Sequence, residues 1–262
     1  MNTIASTQLR LLAAALTIVL ALVAAATSKA ATITWGAAQN ITGDTNVSTN
    51  GTLVDAFNIG EPGTPATVVN GVNFASFAYP TASLTSFTQG NYKVEVSASS
   101  LGSANTFGSG VAPFTSLSAP YQTMLSSGGG ASFGANYTLT MSGLTVGQTY
   151  VFQWWSNNSS GATDGTTATA GNAVTLDSNL TNLDGGTGQF AIGTFIADNA
   201  AQQIVFTRVG AGGVSTVNGF QLRQLGAGPG TAVPEPGSAL VGMMVLGLCG
   251  TRLGRRQRAA QG

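Results

Sequence analysis

Apolar and polar residues alternate in short segments along the middle of this chain, and turns rich in Gly, Asn and Asp separate the segments. A period of two is typical of β-strands that bury one face. The pattern predicts strands over residues 32–35, 53–59, 67–69, 72–77, 92–98, 137–142, 150–156, 173–176, 189–197, 203–208 and 215–224. Asn70-Gly71 lies between two of these segments and predicts a tight hairpin.

Between residues 31 and 225, only residues 121–126, directly after Pro120, have the character of a short helix. Strands without crossover helices exclude a doubly wound parallel sheet, so the sequence predicts an all-β fold, an antiparallel β-sandwich or jelly roll, over residues 31–225. Residues 101–114 and 156–171 break the strand rhythm, either as long loops at one end of a single sandwich or as linkers between two subdomains. Gly128-Gly129-Gly130 predicts a flexible segment, because it lacks the strand, Lys and helix of a phosphate-binding loop.

The first 30 residues have the layout of a secretory signal peptide. A polar start that contains Arg10 leads into apolar residues 11–26, and Ser28-Lys29-Ala30 places small residues where signal peptidase cleaves. This layout predicts export through the Sec translocon and cleavage after Ala30. An uncleaved N-terminal anchor is the alternative, but the apolar run is short and a polar, Thr-rich sequence follows it.

The C-terminal end has three parts in a fixed order. Val233-Pro234-Glu235-Pro236 follows a Gly-rich flexible linker, residues 226–232. Residues 237–251 carry no charge and predict a transmembrane helix of about 15 residues, shorter than the roughly 20 of a comfortable span. Four arginines between residues 252 and 258 would stay on the cytoplasmic side and extend the span by snorkelling.

This tail resembles the PEP-CTERM sorting signal of Gram-negative bacteria. The residues that match are Val233, Pro234, Glu235, Pro236, Arg255 and Arg256. The resemblance covers about the last 30 residues and implies recognition by an exosortase, a membrane-bound processing enzyme. It further implies a precursor anchored in the inner membrane and a mature protein at the cell surface or outside the cell, often in organisms that make exopolysaccharide.

Composition limits the chemistry of the exported part. The 262 residues include no His, a single Cys in the tail, Cys249, and only 7% charged residues. The sequence therefore excludes a His-based catalytic triad, a His metal site and an internal disulfide. Residues 31–232 carry three basic and eight acidic side chains, a net charge of −5, which makes nucleic acid an unfavourable partner.

The aromatic strand 150–156 offers the one candidate binding site. Alternation places a predicted core face on one side: Tyr150, Phe152 and Trp154. The other side predicts a low-affinity glycan site formed by Gln153, Trp155, Asn157 and Asn158. An exposed indole ring would stack under a sugar while the amides bind its hydroxyls. Alternatively, Trp155 packs beneath the loop that follows or belongs to a second half of the core.

Two segments resemble known binding folds. The turn Leu144-x-x-Gly147-x-x-Tyr150 resembles the entry to a central strand of galactose-binding-like jelly rolls, the scaffold of many carbohydrate-binding modules. Residues 217–223 resemble the closing strand of such folds. The resemblance covers two strands and implies the fold rather than the activity. The middle region also looks like the Gly/Thr-rich ectodomains that often precede PEP-CTERM tails.

The acidic residues do not form a recognisable catalytic or metal-binding motif. A glycosidase needs two carboxylates roughly 5 to 10 Å apart, and no spacing in the sequence suggests such a pair. Asp44, Asp177 and Asp184, with neighbouring carbonyls, are the residues that would ligate a structural calcium ion, although no Asp-x-Asp-x-Asp loop is present. No catalytic residue, metal site or other cofactor is predicted.

The sequence therefore predicts a non-enzymatic, exported protein of the cell surface or extracellular matrix, with a structural role or weak polysaccharide binding. The alternative is an extracellular hydrolase, such as a glycosidase, that uses carboxylates alone. Two facing carboxylates in a cleft would favour the hydrolase, and an exposed aromatic strip beside amides would favour binding.

Overall fold

A computed structural model describes residues 30–79, 84–97, 101–131, 135–161, 163–210 and 215–227. The predicted signal peptide, the greater part of the linker and the sorting tail lie outside these residues. In the described part of the chain no helix is long and apolar enough to cross a membrane. The described residues up to Gly226 belong to one compact unit.

Sixteen strands and one α-helix make up the described part of the chain. In chain order they are β1 (Thr34–Trp35), β2 (Gln39–Asn40), β3 (Thr52–Gly60), β4 (Thr67–Val69), β5 (Val72–Ala78), β6 (Ser86–Gln89), β7 (Tyr92–Val96), β8 (Leu101–Ala104), α1 (Ala119–Ser126), β9 (Gly128–Ala131), β10 (Tyr137–Ser142), β11 (Gln148–Ser156), β12 (Gly165–Ala170), β13 (Asn172–Asp177), β14 (Gln189–Ile196), β15 (Ala201–Val209) and β16 (Gly219–Ala227). Short 3-10 helices lie at Asp44–Asn46 and Phe114–Ser116.

Two large sheets and one small sheet contain these strands. The eight-stranded sheet has the order β1-β14-β11-β16-β3-β5-β4, with β2 also paired to β14. The six-stranded sheet has the order β13-β12-β15-β10-β7-β6, and β8 pairs with β9 alone. Most strand pairs are antiparallel, whereas β3 and β5 are parallel because the short strand β4 returns the chain between them.

The main core lies between the two large sheets, which makes the fold a sandwich. Alternating residues of the facing strands supply it, as their period of two requires. Trp154 of the eight-stranded sheet meets Phe206 of the six-stranded sheet edge-on, with ring centroids 5.0 Å apart. Phe57 and Tyr92 make a similar contact across the sheets at 4.9 Å. The predicted core face of the aromatic strand is thus confirmed.

A second core covers the outer face of the eight-stranded sheet. Helix α1, the 3-10 helices and the loops around them bury this face, and the cluster contains Trp155, Phe74, Phe190 and Tyr121. The described part of the chain therefore has three layers, in the order helix and loops, eight-stranded sheet, six-stranded sheet. The opposite face of the six-stranded sheet remains outermost, with exposed or half-buried residues along its strands.

All eleven predicted segments contain strands, and the short helix is present, so the predicted all-β fold is confirmed. Strands β2, β6, β8, β9 and β12 were not predicted. Residues 156–171, predicted as irregular, contain β12. The outward residues of this strand are mostly Thr and the inward residues are small, so its sequence does not show the alternation of large apolar and polar residues that predicts a strand. Strand β16 extends to Ala227, so the first two residues of the predicted linker 226–232 belong to a strand.

Candidate functional site

Helix α1 presents two different stripes. Its first turn is closed by the N-cap Ser118, whose hydroxyl accepts a hydrogen bond from the Tyr121 backbone N–H at 3.3 Å. One stripe, formed by Tyr121, Met124 and Leu125, is buried in the second core. Burial raises the pKa of the Tyr121 hydroxyl, which therefore stays neutral. This apolar stripe fixes the helix on the sheet and turns its polar side outward.

The outward stripe of the helix forms one wall of a groove of about 450 Å³. Its residues are spaced i, i+3, i+4 and i+7, so they lie on one helical face: Ala119, Gln122, Thr123 and Ser126. The opposite wall consists of Thr64, Pro65, Asn105 and Ser127. All eight lining residues are uncharged, and six of them carry a hydroxyl or an amide. Concave sites of this size typically hold small ligands.

Close packing behind the opposite wall fixes its polar groups. The buried Thr64 hydroxyl donates to Asn105 Oδ1 at 2.9 Å, and the buried Ser127 hydroxyl donates to Asn58 Oδ1 at 2.8 Å. A Cβ at Gly60 would collide with Thr64 Oγ1 and lie 2.7 Å from Asn105 Oδ1. Glycine at position 60 is therefore needed for the wall to form.

Some polar groups of the groove are not used by the protein itself. Asn105 accepts hydrogen bonds through Oδ1, but within the described residues its Nδ2 has no acceptor. The half-buried Ser126 hydroxyl likewise has no partner in the described part of the chain. Gln122, by contrast, uses its Nε2 to bind the Leu117 carbonyl at 2.6 Å. The groove thus offers uncharged donors and acceptors to a ligand, beside the apolar surface of Pro65 and Ala119.

The structure overturns the prediction that Trp155 is an exposed stacking platform. The ring is fully buried in the second core, edge-on to Phe74 at 5.6 Å, and its Nε1–H donates to the Tyr121 hydroxyl at 2.8 Å. The reason is that helix α1 covers the outer face of the sheet at this point. The alternative interpretation, a second half of the core, is the right one. None of the aromatic residues in the described ranges is strongly exposed.

Gln153 is also buried and has a structural role. Its Oε1 accepts from the Ser48 backbone N–H at 2.9 Å and from Gln221 Nε2 at 2.6 Å, and its Nε2 donates to the Asn46 carbonyl at 2.6 Å. Arg223 continues this network by donating to Gln221 Oε1 and to the carbonyls of residues 49–51. Partial burial lowers the pKa of this guanidinium. The network holds loop 46–51 against the sheet.

Asn157 and Asn158, the remaining predicted ligand residues, lie where β11 leaves the sheet. Asn157 is buried, and its Oδ1 accepts from the Gly188 backbone N–H at 2.9 Å. Asn218 accepts from the Asn157 N–H and donates to the carbonyls of Leu125, Ser127 and Asn157. Asn158 accepts from Ser160 in a local turn. The predicted site of Gln153, Trp155, Asn157 and Asn158 therefore does not exist as an open surface.

Several acidic residues are bound by neighbouring hydroxyl or amide groups. Asp44 accepts from Ser118, Asp55 from Tyr92, and Asp184 from Ser109, at 2.7, 2.8 and 2.6 Å. Asp177 accepts from the Asn179 backbone N–H at 2.8 Å in an Asx turn. The described residues contain no cluster of three or more potential metal-ligating side chains.

Two acidic residues, however, line one small cleft. Asp164 and Asp177 lie at the ends of β12 and β13, in a cleft of about 200 Å³ that also contains Thr163, Thr175 and Leu176. Antiparallel pairing explains the proximity, because Gly165 is directly opposite Asp177. The sequence separation of 13 positions gave no indication of this juxtaposition.

Lys93 and Glu95 form an exposed ion pair at 2.7 Å, which contributes little to stability.

The predicted sorting residues, Val233, Pro234, Glu235, Pro236, Arg255 and Arg256, lie outside the described residues. The groove residues were missed by the sequence analysis. Their one local signal was the polar i, i+3, i+4, i+7 stripe that begins at Ala119, and nothing in the sequence connects it to Thr64 or Asn105.

No protein-family model matches this chain, and no curated protein matches it. One solved structure is described as "Structural basis for the promiscuous specificity of the carbohydrate-binding modules from the beta-sandwich super family". Its sequence is 12% identical to this chain, the superposed region covers 59% of this chain and 71% of the other chain, and the TM-score is 0.16. A similarity at this level supports no conclusion about the ligand of this chain.

Proposed function

We propose that this protein is a non-enzymatic component of the cell surface that binds an uncharged polysaccharide in the groove beside helix α1. The main support for this proposal is the lining of the groove, which is entirely uncharged and rich in hydroxyls and amides. A neutral sugar supplies matching hydroxyls, and an anionic ligand would find no cation there. Without an aromatic platform the affinity depends on hydrogen bonds, each with a modest net contribution of about 1 kcal/mol.

Export and sorting form the second part of the proposal and are supported by the two ends of the sequence. A signal peptide over residues 1–30 directs the precursor to the Sec translocon and to signal peptidase. The PEP-CTERM-like tail then anchors it in the inner membrane until an exosortase processes it. Surface exposure would place many copies near exopolysaccharide, where weak single sites act together. The resemblance of residues 144–150 and 217–223 to galactose-binding-like jelly rolls implies that fold family for the β domain.

A substitution pair tests the groove with little risk to the fold. Asn105→Asp keeps the Oδ1 acceptor used by Thr64 but replaces the unused donor with a carboxylate, and Ser126→Ala removes the unpaired hydroxyl. Affinity electrophoresis of the full chain in detergent, through gels containing dextran, laminarin or galactomannan, would measure binding. We expect the double variant to be retarded less than wild type, and Ser116→Ala, at an exposed position outside the groove, to keep the full retardation. If the double variant is retarded as strongly as wild type and Ser116→Ala, binding in the groove is refuted.

The cleft at Asp164 and Asp177 supports a second candidate function, a glycoside hydrolase, because two carboxylates share one cleft there. The two functions make different predictions for the same polymers. A hydrolase would release reducing ends from them, and Asp177→Asn would abolish the release. A binding protein leaves the chain length of every polymer unchanged.

A further inference from the structure

The outermost face of the six-stranded sheet is covered with hydroxyl groups in register. Outward positions of paired strands place Thr175, Thr167 and Thr207 in one row across β13, β12 and β15. A second row joins Thr169, Val205 and Thr138 across β12, β15 and β10. Neighbouring residues of a row are about 4.8 Å apart, the spacing of paired strands. The face therefore offers an extended array of hydroxyls.

Further outward positions continue the array toward the other edge of the sheet. The next row runs from Gln203 to Thr140, Lys93 and Thr88. Several hydroxyls pair with one another or with amides, such as Thr167 with Thr175 at 2.7 Å and Thr207 with Asn136 at 3.0 Å. Thr138 and Thr169 have no hydrogen-bond partner for their hydroxyls within the described residues. These two lie in the central row and face solvent.

Charge favours an uncharged polymer as the occupant of this face. Along β6, β7, β10, β12 and β15, the outward charges are those of Lys93 and Glu95, which bind each other at 2.7 Å. Asp177 lies at the far end of β13, beside the cleft. Apart from Asp177 at that end, the outward charges of this face cancel, although residues 31–232 carry a net charge of −5. A neutral polysaccharide loses no ionic hydration on it and can exchange water hydrogen bonds for those of the hydroxyls.

A second copy of the chain suits the face less well. Interfaces between proteins have a core enriched in aromatic residues, Met and Arg. At the outward positions of this sheet the largest apolar side chains are Val205 and Val209, and most of the residues around them are Thr, Ser and Gln. Stacking two such faces would bury many hydroxyls without specified partners, which is costly.

We infer that this hydroxyl face is a second surface for an uncharged polysaccharide and that the protein cross-links polymer chains. The groove lies in the helix layer and the hydroxyl face is on the far side of the six-stranded sheet, so the two surfaces are separated by both sheets. One extended chain lying on one surface does not reach the other without wrapping around the molecule. The inference rests on the proposed function for its ligand class and goes beyond it by adding a second site.

The experiment compares three forms of the full chain in detergent: wild type, the groove variant Asn105→Asp/Ser126→Ala, and a face variant, Thr138→Val/Thr140→Val/Thr169→Val. Valine keeps the β-branched shape that suits a strand and removes the hydroxyl. The triple Thr→Ser variant at the same positions is the matched control, since it keeps the hydroxyls. Light scattering of mixtures with dextran, laminarin or galactomannan reports cross-linking, affinity electrophoresis reports binding, and scattering without polymer reports self-association.

We expect wild type and the Ser control to raise the scattering with a maximum at an intermediate ratio of protein to polymer. The face variant should reduce that maximum at least about ten-fold, because loss of one of two sites removes multivalent linkage, while its retardation in the gel persists through the groove. A face variant that cross-links as well as wild type would overturn the inference and leave the groove proposal intact.

The remaining outcomes separate the two proposals. If the groove variant binds as well as wild type and the face variant does not bind, the groove proposal fails and the face is the binding surface. If the face variant changes only the scattering measured without polymer, the face is a self-association surface and the inference is wrong. If wild type binds none of the three polymers, both proposals fail.

Discussion

The indole Nε1–H of Trp155 donates a hydrogen bond to the hydroxyl oxygen of Tyr121, 2.8 Å away, and joins the eight-stranded sheet to helix α1. Both side chains are fully buried. The contact explains how a second Trp can follow Trp154 directly in a strand: one ring enters each of the two cores, and the ring of the outer core has an acceptor for its polar atom.

Tyr121→Phe should lower the free energy of unfolding by about 1 to 3 kcal/mol, because it leaves the buried indole N–H of Trp155 without an acceptor. Urea unfolding followed by tryptophan fluorescence would measure the change. Thr194→Ala, at an exposed position of β14, is the control and should change stability by less than about 0.5 kcal/mol. Equal stability of Tyr121→Phe and wild type would show that the hydrogen bond has no net weight.

Gly130→Ala should destabilise the fold by about 3 kcal/mol, since the added Cβ would collide with the backbone carbonyl of Ser215. Gly102 is its direct partner in β8, and a Cβ there meets nothing within 4 Å. Gly102→Ala is therefore the matched control and should be neutral or stabilising. Thermal unfolding of the two variants would measure the difference in stability. Similar melting temperatures would contradict the close approach of the Ser215 carbonyl to position 130.

Asn218→Asp tests the junction between α1, β11 and β16 with a side chain of the same shape. The amide Nδ2 of Asn218 donates to three buried carbonyl oxygens, so the carboxylate oxygen that replaces Nδ2 would face acceptors only, while the other oxygen keeps the Asn157 N–H as its donor. We expect a loss of about 3 kcal/mol or more at neutral pH. Burial would raise the folded pKa of the new carboxyl, so the deficit should shrink as the pH falls toward 4 and the group protonates. A pH-independent deficit would point to a steric cause.

Stability should fall at alkaline pH because of the buried tyrosines. Burial raises the pKa of Tyr79, Tyr121 and Tyr137 above the usual value of about 10. A raised folded pKa contributes stability that is fully present below pH 10 and is lost as the pH rises further, because the unfolded chain releases these protons first. Melting temperatures between pH 7 and pH 12 would show the decline. Reversible ionisation of all tyrosines near pH 10 in the folded chain would contradict it.

Processing of the tail is testable by intact mass. In the proposed sorting route the PEP-CTERM-like motif marks the tail for removal, so protein recovered from outside the host cell should lack the segment from about residue 237 onward. Glu235→Ala, or deletion of the arginine cluster, should leave the full-length form in the inner membrane. Extracellular protein that still contains residues 252–262 would be incompatible with this sorting route.

The sequence by itself determined the strands that bury one face. Segments such as Tyr137–Ser142 and Thr67–Val69 have the observed bounds because period-two alternation is a local property that a strand expresses wherever it packs. The Asn70-Gly71 turn, with positive φ at both residues, follows from the same local chemistry.

Local pattern failed where small or polar residues face inward. Strand β12 buries Thr166 and Ala168, and β9 is the segment Gly128–Ala131, predicted to be flexible. Tyr79 and Ser215 approach Gly129 and Gly130 too closely for a Cβ, and Phe107 would be in tight contact with a Cβ at Gly128. Their neighbours are remote in sequence, so close approach leaves no local signal.

Tertiary structure alone decided which surfaces are open. Alternation correctly separated Trp154 from Trp155, but it could not show that a third layer covers the outer face and buries Trp155 as well. The groove likewise combines a helix stripe with Thr64, 55 residues before Ala119, and with Asn105, 14 residues before it. Burial depends on what the rest of the chain places over a face, and that information is not contained in the face itself.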